Sequence, residues 1–151
     1  MSARGGAAWL GHPVVGTACR LLIGGVFIYT SLPKVLRPDE FAHLVSGYRI
    51  LHPDMVNLVG ITLPWIELMA GAFLVLGVLP QSSAALIAGM LALFIGAGAL
   101  ALARGLEIDC GCFFPIGGDR LTWGTLIRDG LLLALALQPL VWPSSFVRRR
   151  A

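Results

Sequence analysis

Hydrophobic residues fall into four long blocks along this chain, and polar residues are confined to the gaps between them. A membrane-spanning helix needs about 20 mostly apolar residues. Four stretches reach that length, at about 14–32, 55–79, 82–103 and 122–142, and the first can be extended back to Ala8. Breaker residues follow each block: Pro33 the first, Pro80 with Gln81 and two serines the second, Gly105 the third, and Pro143 the fourth. Trp9, Trp65, Trp123 and Trp142 fall near the predicted ends, where aromatic rings anchor helices at the lipid–water boundary. The pattern predicts an all-α integral membrane protein. It is an antiparallel four-helix transmembrane bundle forming one domain over residues 1–151.

The three gaps differ in kind. The second is a few residues long, so the second and third spans form a hairpin. The first is about twenty residues with a pattern of its own. Pro38, Asp39 and Glu40 make a helix start, with proline in the first turn and acids behind it. Phe41, Leu44, Val45 and Tyr48 then recur at helical spacing, with Asp39, Glu40, His43 and Arg49 as the polar positions. This predicts a short amphipathic helix lying on the membrane surface. The third gap, about 104–121, carries Cys110 and Cys112. With four spans, the first and third gaps lie on one side, so the amphipathic helix can cover the cysteine loop.

Composition agrees with lipid as the solvent. The chain is 57% hydrophobic and 13% charged, with a mean hydropathy of +0.84. Ordinary soluble domains are about a quarter charged. A net charge of +3, with no basic run in the interior, gives no nucleic-acid surface. Arg148, Arg149 and Arg150 at the tail read as a membrane anchor. The first apolar stretch is too long for the core of a cleavable signal peptide, and no small-x-small site follows it.

Lysine and arginine counts do not decide the orientation: four at the termini (Arg4 and the tail arginines) against five in the long loops (Lys34, Arg37, Arg49, Arg104, Arg120). The tail cluster abuts a span, however, and the terminal segments carry no acid. Both termini are therefore placed in the cytoplasm of a bacterial inner membrane. The cysteine loop then faces the periplasm, where a disulfide persists.

Small residues mark the inward faces of the spans. They are Gly16 and Gly24 flanking Arg20 in the first, Gly60, Pro64, Glu67 and Gly71 in the second, and Ala84, Ala88, Ala92 and Gly96 in the third. Four ionisable residues lie inside spans: Arg20, Glu67, Arg128 and Asp129. A charge within the bilayer costs at least a few kcal/mol, so it should face the interior and be paired. Arg20 and Glu67 share inward stripes and compatible depths and are expected to pair. They form either a register-fixing ion pair or a polar pocket for a head group or quinone ring. Arg128 and Asp129 lie about two turns into the fourth span. They either satisfy each other or the other buried pair, or Arg128 stabilises a thiolate in the loop.

The sharpest signal is Asp109-Cys110-Gly111-Cys112. The central glycine frees the backbone to turn so that the two sulfurs can meet in a strained ring. Strained disulfides are more oxidising and tend to be catalytic. Two free thiols, half a metal site or a loop staple are the alternatives. Metal is disfavoured because no other clear soft ligand accompanies the pair; His43 and His52 lie in the other long loop. Cys19, within the first span, reads as a packing residue.

These residues resemble the DoxX-like membrane proteins, and within them the MauE (methylamine utilisation) branch. The resemblance spans about 20–135. It rests on Arg20 and Lys34, on Leu63-Pro64-Trp65-Ile66-Glu67-Leu68 with Gly71 and Gly77, on Gly105-Leu106-Glu107-Ile108-Asp109-Cys110-Gly111-Cys112-Phe113, and on Arg128-Asp129. The chain departs from the usual continuation of the cysteine motif, because Phe114 and Pro115 precede Gly117. The resemblance implies a four-helix bundle tied to thiol redox chemistry. MauE-type proteins are associated with maturing the disulfide-rich small subunit of methylamine dehydrogenase alongside a thioredoxin-like partner. DoxX relatives are linked to quinone reduction.

The expectation is therefore a membrane thiol–disulfide redox protein. Cys110 and Cys112 would exchange with a periplasmic thioredoxin-like partner, with electrons passing to or from a quinone near Arg20, Glu67, Arg128 and Asp129, in protein maturation or respiratory electron transfer. Relay oxidases of the DsbB kind use two cysteine pairs, so one pair here implies direct transfer. The rivals are a non-enzymatic assembly factor or scaffold, and a small-solute or metal transporter. The small size and lack of discontinuous helices count against the transporter.

Overall fold

The computed structural model describes residues 12–111 and 120–141. Among the described residues there are five helices: α1 Pro13–Leu36, α2 Pro38–Gly47, α3 Pro53–Leu76, α4 Pro80–Ala103 and α5 Trp123–Val141. All but α2 are long and apolar enough to cross a membrane. The described residues form no strand beyond a single Asp109–Arg120 bridge. The four-span bundle with a short helix in the first gap is the architecture the sequence predicts. Trp9, Cys112, Trp142, Pro143 and the tail arginines lie outside the described residues.

Several boundaries move, for physical reasons. Pro13, Pro38, Pro53 and Pro80 each occupy the first turn of a helix. The missing amide hydrogen costs nothing there. Pro80 therefore opens α4 rather than closing α3. Gly77 ends α3, in the left-handed region at φ 73°. The Val78 amide then returns to the Phe73 carbonyl at 3.0 Å, the turn that commonly ends helices on glycine.

Pro33 does not stop α1. A proline interrupts only the bond to the residue four back, and α1 runs one more turn, closed by the Arg37 amide on the Pro33 carbonyl at 3.0 Å. Lys34 thus lies inside the helix. Trp65 sits near the middle of α3 and is 53% exposed, so it is no end anchor.

The spans close into a ring, with α1 on α3, α3 on α4, α4 on α5, and α5 back on α1. Ile23, Phe27, Leu74, Ile87 and Leu91 fill the centre. Large apolar residues such as Leu36, Leu93 and Ile127 point outward, as a lipid-facing surface requires. Lipid offers no hydrophobic drive between helices, so close approach of small residues does the work. At the α1–α3 crossing, a β-carbon on Gly24 would lie 2.9 Å from the Gly71 carbonyl oxygen, and one on Gly71 would lie 2.9 Å from that of Gly24. On α4 only half the predicted small-residue stripe faces inward. Ala84 and Ala88 are buried, whereas Ala92 and Gly96 are exposed.

Candidate functional site

The cysteine loop is built on a closed base. The Leu121 amide donates to the Ile108 carbonyl at 2.9 Å, and Asp109 bridges Arg120. Within this neck Cys110 is 5% exposed and packs against Ala101, Leu121 and Leu126. Gly111 follows at φ 62°, a left-handed conformation that other residues adopt at a cost. A β-carbon there would also strike Leu44 at 2.8 Å. Cys112 lies outside the described residues.

The amphipathic helix packs on the described base of this loop, at Ile108, Cys110 and Gly111, on the side that the pattern of the first gap predicts. Phe41 and Ala42 are the buried residues of α2. Leu44 lies over Gly111, and Gly47 lies against Ile108. The Tyr48 hydroxyl donates to the Cys110 carbonyl at 3.1 Å. Beside the loop a cleft of about 550 Å³ is lined by Leu106, Glu107, Asp109, Arg120 and Thr122, among others.

One turn deeper is a layer of buried charge. Lys34 Nζ lies 2.9 Å from Glu67 Oε2 and 3.3 Å from Oε1. The side chains are only 6% and 2% exposed. The ammonium also sits 5.0 Å from the Phe41 ring and 5.9 Å from the Phe94 ring, within the range of cation–π attraction. Asp129 is buried, with its Oδ1 3.5 Å from Arg128 Nε.

Register puts Asp129 in the same layer. Gly98 of α4 meets Leu126 of α5, and Phe94 and Asp129 each lie about one turn from that contact toward the terminal side, given a rise of about 1.5 Å per residue. Lys34, Glu67, Arg128 and Asp129 together are electrically neutral.

The structure does not pair Arg20 with Glu67. The Arg20 guanidinium lies against Gly77, where a β-carbon would be 3.1 Å from Nη2. Gly77 and Glu67 are separated on α3 by about 15 Å of helical rise, beyond the reach of one arginine. Arg20 instead meets the C-terminal end of α3, where the helix dipole favours a cation. Three of the four intramembrane residues singled out from sequence thus gather in one layer near the loop, and Arg20 does not.

Lys34 and Tyr48 are the site residues that sequence reasoning missed. Lys34 had a signal. Phe27, Thr30, Ser31 and Lys34 follow one inward stripe of α1, and all are buried. Tyr48 was visible as an apolar position of α2, though not as a hydrogen-bond donor. His43 and His52 are exposed, and His52 contacts Asp54 at 3.3 Å.

Comparison with known sequences is consistent across the chain. The profile of the family described as methylamine utilisation protein MauE matches residues 12–142. The chain is 33% identical over 133 residues to the methylamine utilization protein MauE of Paracoccus denitrificans, covering 87% of this chain and 71% of that protein. It is 35% identical over 136 residues to that of Methylorubrum extorquens, covering 89% and 73% respectively. It is 33% identical over 127 residues to that of Methylophilus methylotrophus, covering 83% and 67%. No solved structure matches the chain.

Proposed function

This chain belongs to the MauE family of methylamine utilisation proteins, and we propose that it is a membrane thiol–disulfide redox protein. Cys110 and Cys112 exchange a disulfide with a thioredoxin-like partner on the periplasmic side of the inner membrane. In each exchange a partner thiolate attacks one sulfur of the pair, a mixed disulfide forms, and the second cysteine thiolate is released. The partner ends oxidised and this chain reduced, or the reverse. The DoxX-like resemblance and the methylamine relatives support a place in protein maturation, with membrane quinone as the two-electron, two-proton acceptor.

The observation that carries this reading is Gly111. It takes a left-handed backbone directly after Cys110, the kind of conformation that a tight turn into so small a ring uses and that glycine adopts readily. The closed neck and Tyr48 hold the Cys110 backbone in place. The charge layer of Lys34, Glu67, Arg128 and Asp129 supplies donors and acceptors for a quinone head within the bundle.

The test uses the purified full chain and a thioredoxin-like domain. With Cys112→Ser, or with Cys110→Ser, one variant should accumulate a mixed disulfide with the partner, while the intact pair turns over. If neither variant traps a mixed disulfide, and the intact chain never changes the partner's redox state, the assembly-scaffold reading replaces this one. The burial of Cys110 is the observation that favours that rival.

A further inference from the structure

We infer that α2 is a gate over Cys110, seated on Gly60 and latched by Tyr48. The inference deepens the thiol-exchange reading and rests on it for the gate's purpose.

Thiol–disulfide exchange needs direct approach of one sulfur to another. Cys110 is 5% exposed, so in this conformation a protein thiol has no path to it. Its described surroundings come from the spans, from the loop's own neck at Ile108 and Leu121, and from the α2 region. Ala101 and Leu126 belong to spans of the ring, held along their length by neighbouring helices. Against the flanks of Cys110 lie Leu44 of α2 on Gly111 and Gly47 of α2 on Ile108, with Tyr48, just past the end of α2, on the Cys110 carbonyl; α2 has ten residues and only two buried side chains. Of the five helices α2 is the shortest and buries the fewest side chains, so it is the helix best able to move and uncover the thiol.

Its ends are suited to such movement. Arg37, between α1 and α2, is non-helical at φ −135°, ψ 69°. Past the other end, Arg49 is in the left-handed region at φ 50°, and Ile50 and Leu51 are exposed. Rigid-body swings are absorbed at a few such element-terminal positions.

The seat is specific. A β-carbon on Gly60 would lie 2.7 Å from Ala42 Cβ and 3.0 Å from Ala42 Cα, so α2 can rest on α3 only because residue 60 has no side chain. From that seat Phe41 covers Lys34, Leu44 covers Gly111, and the Tyr48 hydroxyl holds the Cys110 carbonyl. One movement would therefore uncover the thiol and the Lys34–Glu67 pair together, so a partner docking at Cys110 would also open the charge layer to water.

Alkylation of Cys110 tests the gate without any exchange partner. In full-length protein carrying Cys19→Ser and Cys112→Ser, Cys110 is the only thiol. A small maleimide should label it about tenfold more slowly than the denatured chain, because labelling waits on local opening. Gly60→Ala lifts α2 from its seat, and Tyr48→Phe removes the latch without adding volume. Each should speed labelling about threefold or more by favouring the open form, with helix content unchanged. Equal rates in the parent and in Tyr48→Phe, with Gly60→Ala either equal or unfolded, would overturn the gate. So would a parent that labels as fast as the denatured chain. Because labelling needs no disulfide exchange, a chain whose gate responds but which never exchanges with thioredoxin-like domains sinks the redox reading alone.

Discussion

Lys34 Nζ lies 2.9 Å from Glu67 Oε2, in a pair whose side chains are at most 6% exposed. Removing one partner leaves the other charge buried, at a cost of roughly 3–5 kcal/mol. Lys34→Met and Glu67→Gln should each lower thermal stability in detergent, and the double substitution should cost clearly less than their sum. Arg20→Leu should add to Glu67→Gln without coupling, because the two residues do not touch. Thermal unfolding of the two cycles decides: coupling in the Arg20 cycle and none in the Lys34 cycle would reverse the assignment.

The α1–α3 crossing gives a second prediction. Gly24→Val and Gly71→Val push side-chain atoms into facing backbone, where a β-carbon alone would already lie within 3 Å. Overpacking of this kind costs about 1–3 kcal/mol. Gly25 and Gly89 have open space around them, so alanine there should be neutral or slightly stabilising, by up to about 1 kcal/mol. Unfolding midpoints of the four variants separate the two classes. If Gly25→Ala destabilised as much as Gly71→Val, the crossing would be misplaced.

Most of the fold was legible because the bilayer demands long apolar stretches, and the chain has four. The cover over the cysteine loop was legible too. An amphipathic run such as Phe41, Leu44, Val45 and Tyr48 must bury one face, and an even number of spans puts both long gaps on one side. Pairing failed where it depended on depth rather than face. Arg20 and Glu67 both lie on inward stripes, but antiparallel register, fixed where Gly24 meets Gly71, sets them about two turns apart, and the Arg20 guanidinium reaches further away, to Gly77. Lys34 was passed over because Pro33 reads as a stop, although a proline near a helix end removes only one bond. The α4 stripe failed on geometry. Positions four apart drift by about 40° per step, so Ala84 and Gly96 point in directions about 120° apart.

Topology is open to direct test. If the loop faces the periplasm, a membrane-impermeant thiol reagent added to intact cells should label Cys110 and Cys112 only after reduction. Cys19 lies on α1, two turns in from the opposite side and should stay unlabelled. Labelling of the pair only after lysis would put the loop in the cytoplasm. Equal labelling before and after reduction would show that the pair holds no disulfide.

The last prediction separates a redox enzyme from a scaffold. If the dithiol passes its electrons to quinone, two electrons and two protons leave the cysteine pair and one quinol forms. The reduced, purified chain should then reduce a soluble quinone analogue, up to one equivalent per dithiol. Cys110→Ser and Cys112→Ser should each abolish this. The head group needs hydrogen-bond donors at the level of the charge layer, and Arg128, beside Asp129 at 3.5 Å, brings a cation there whose side chain is 34% exposed. Arg128→Leu should therefore slow reduction by about tenfold or more, in line with the loss of one positioned donor, while the protein remains folded. Arg20 lies at the far end of α3 beside Gly77. Arg20→Leu should leave the rate near that of the parent and show its effect in stability, by about 0.3–2 kcal/mol as a cation lost from a helix C-terminus. An Arg20 variant that stays folded and loses quinone reduction would move the site to the terminal side of the bundle. If no variant and no parent ever reduces quinone, yet maturation in cells needs the protein and tolerates both serine substitutions, the chain acts as a scaffold.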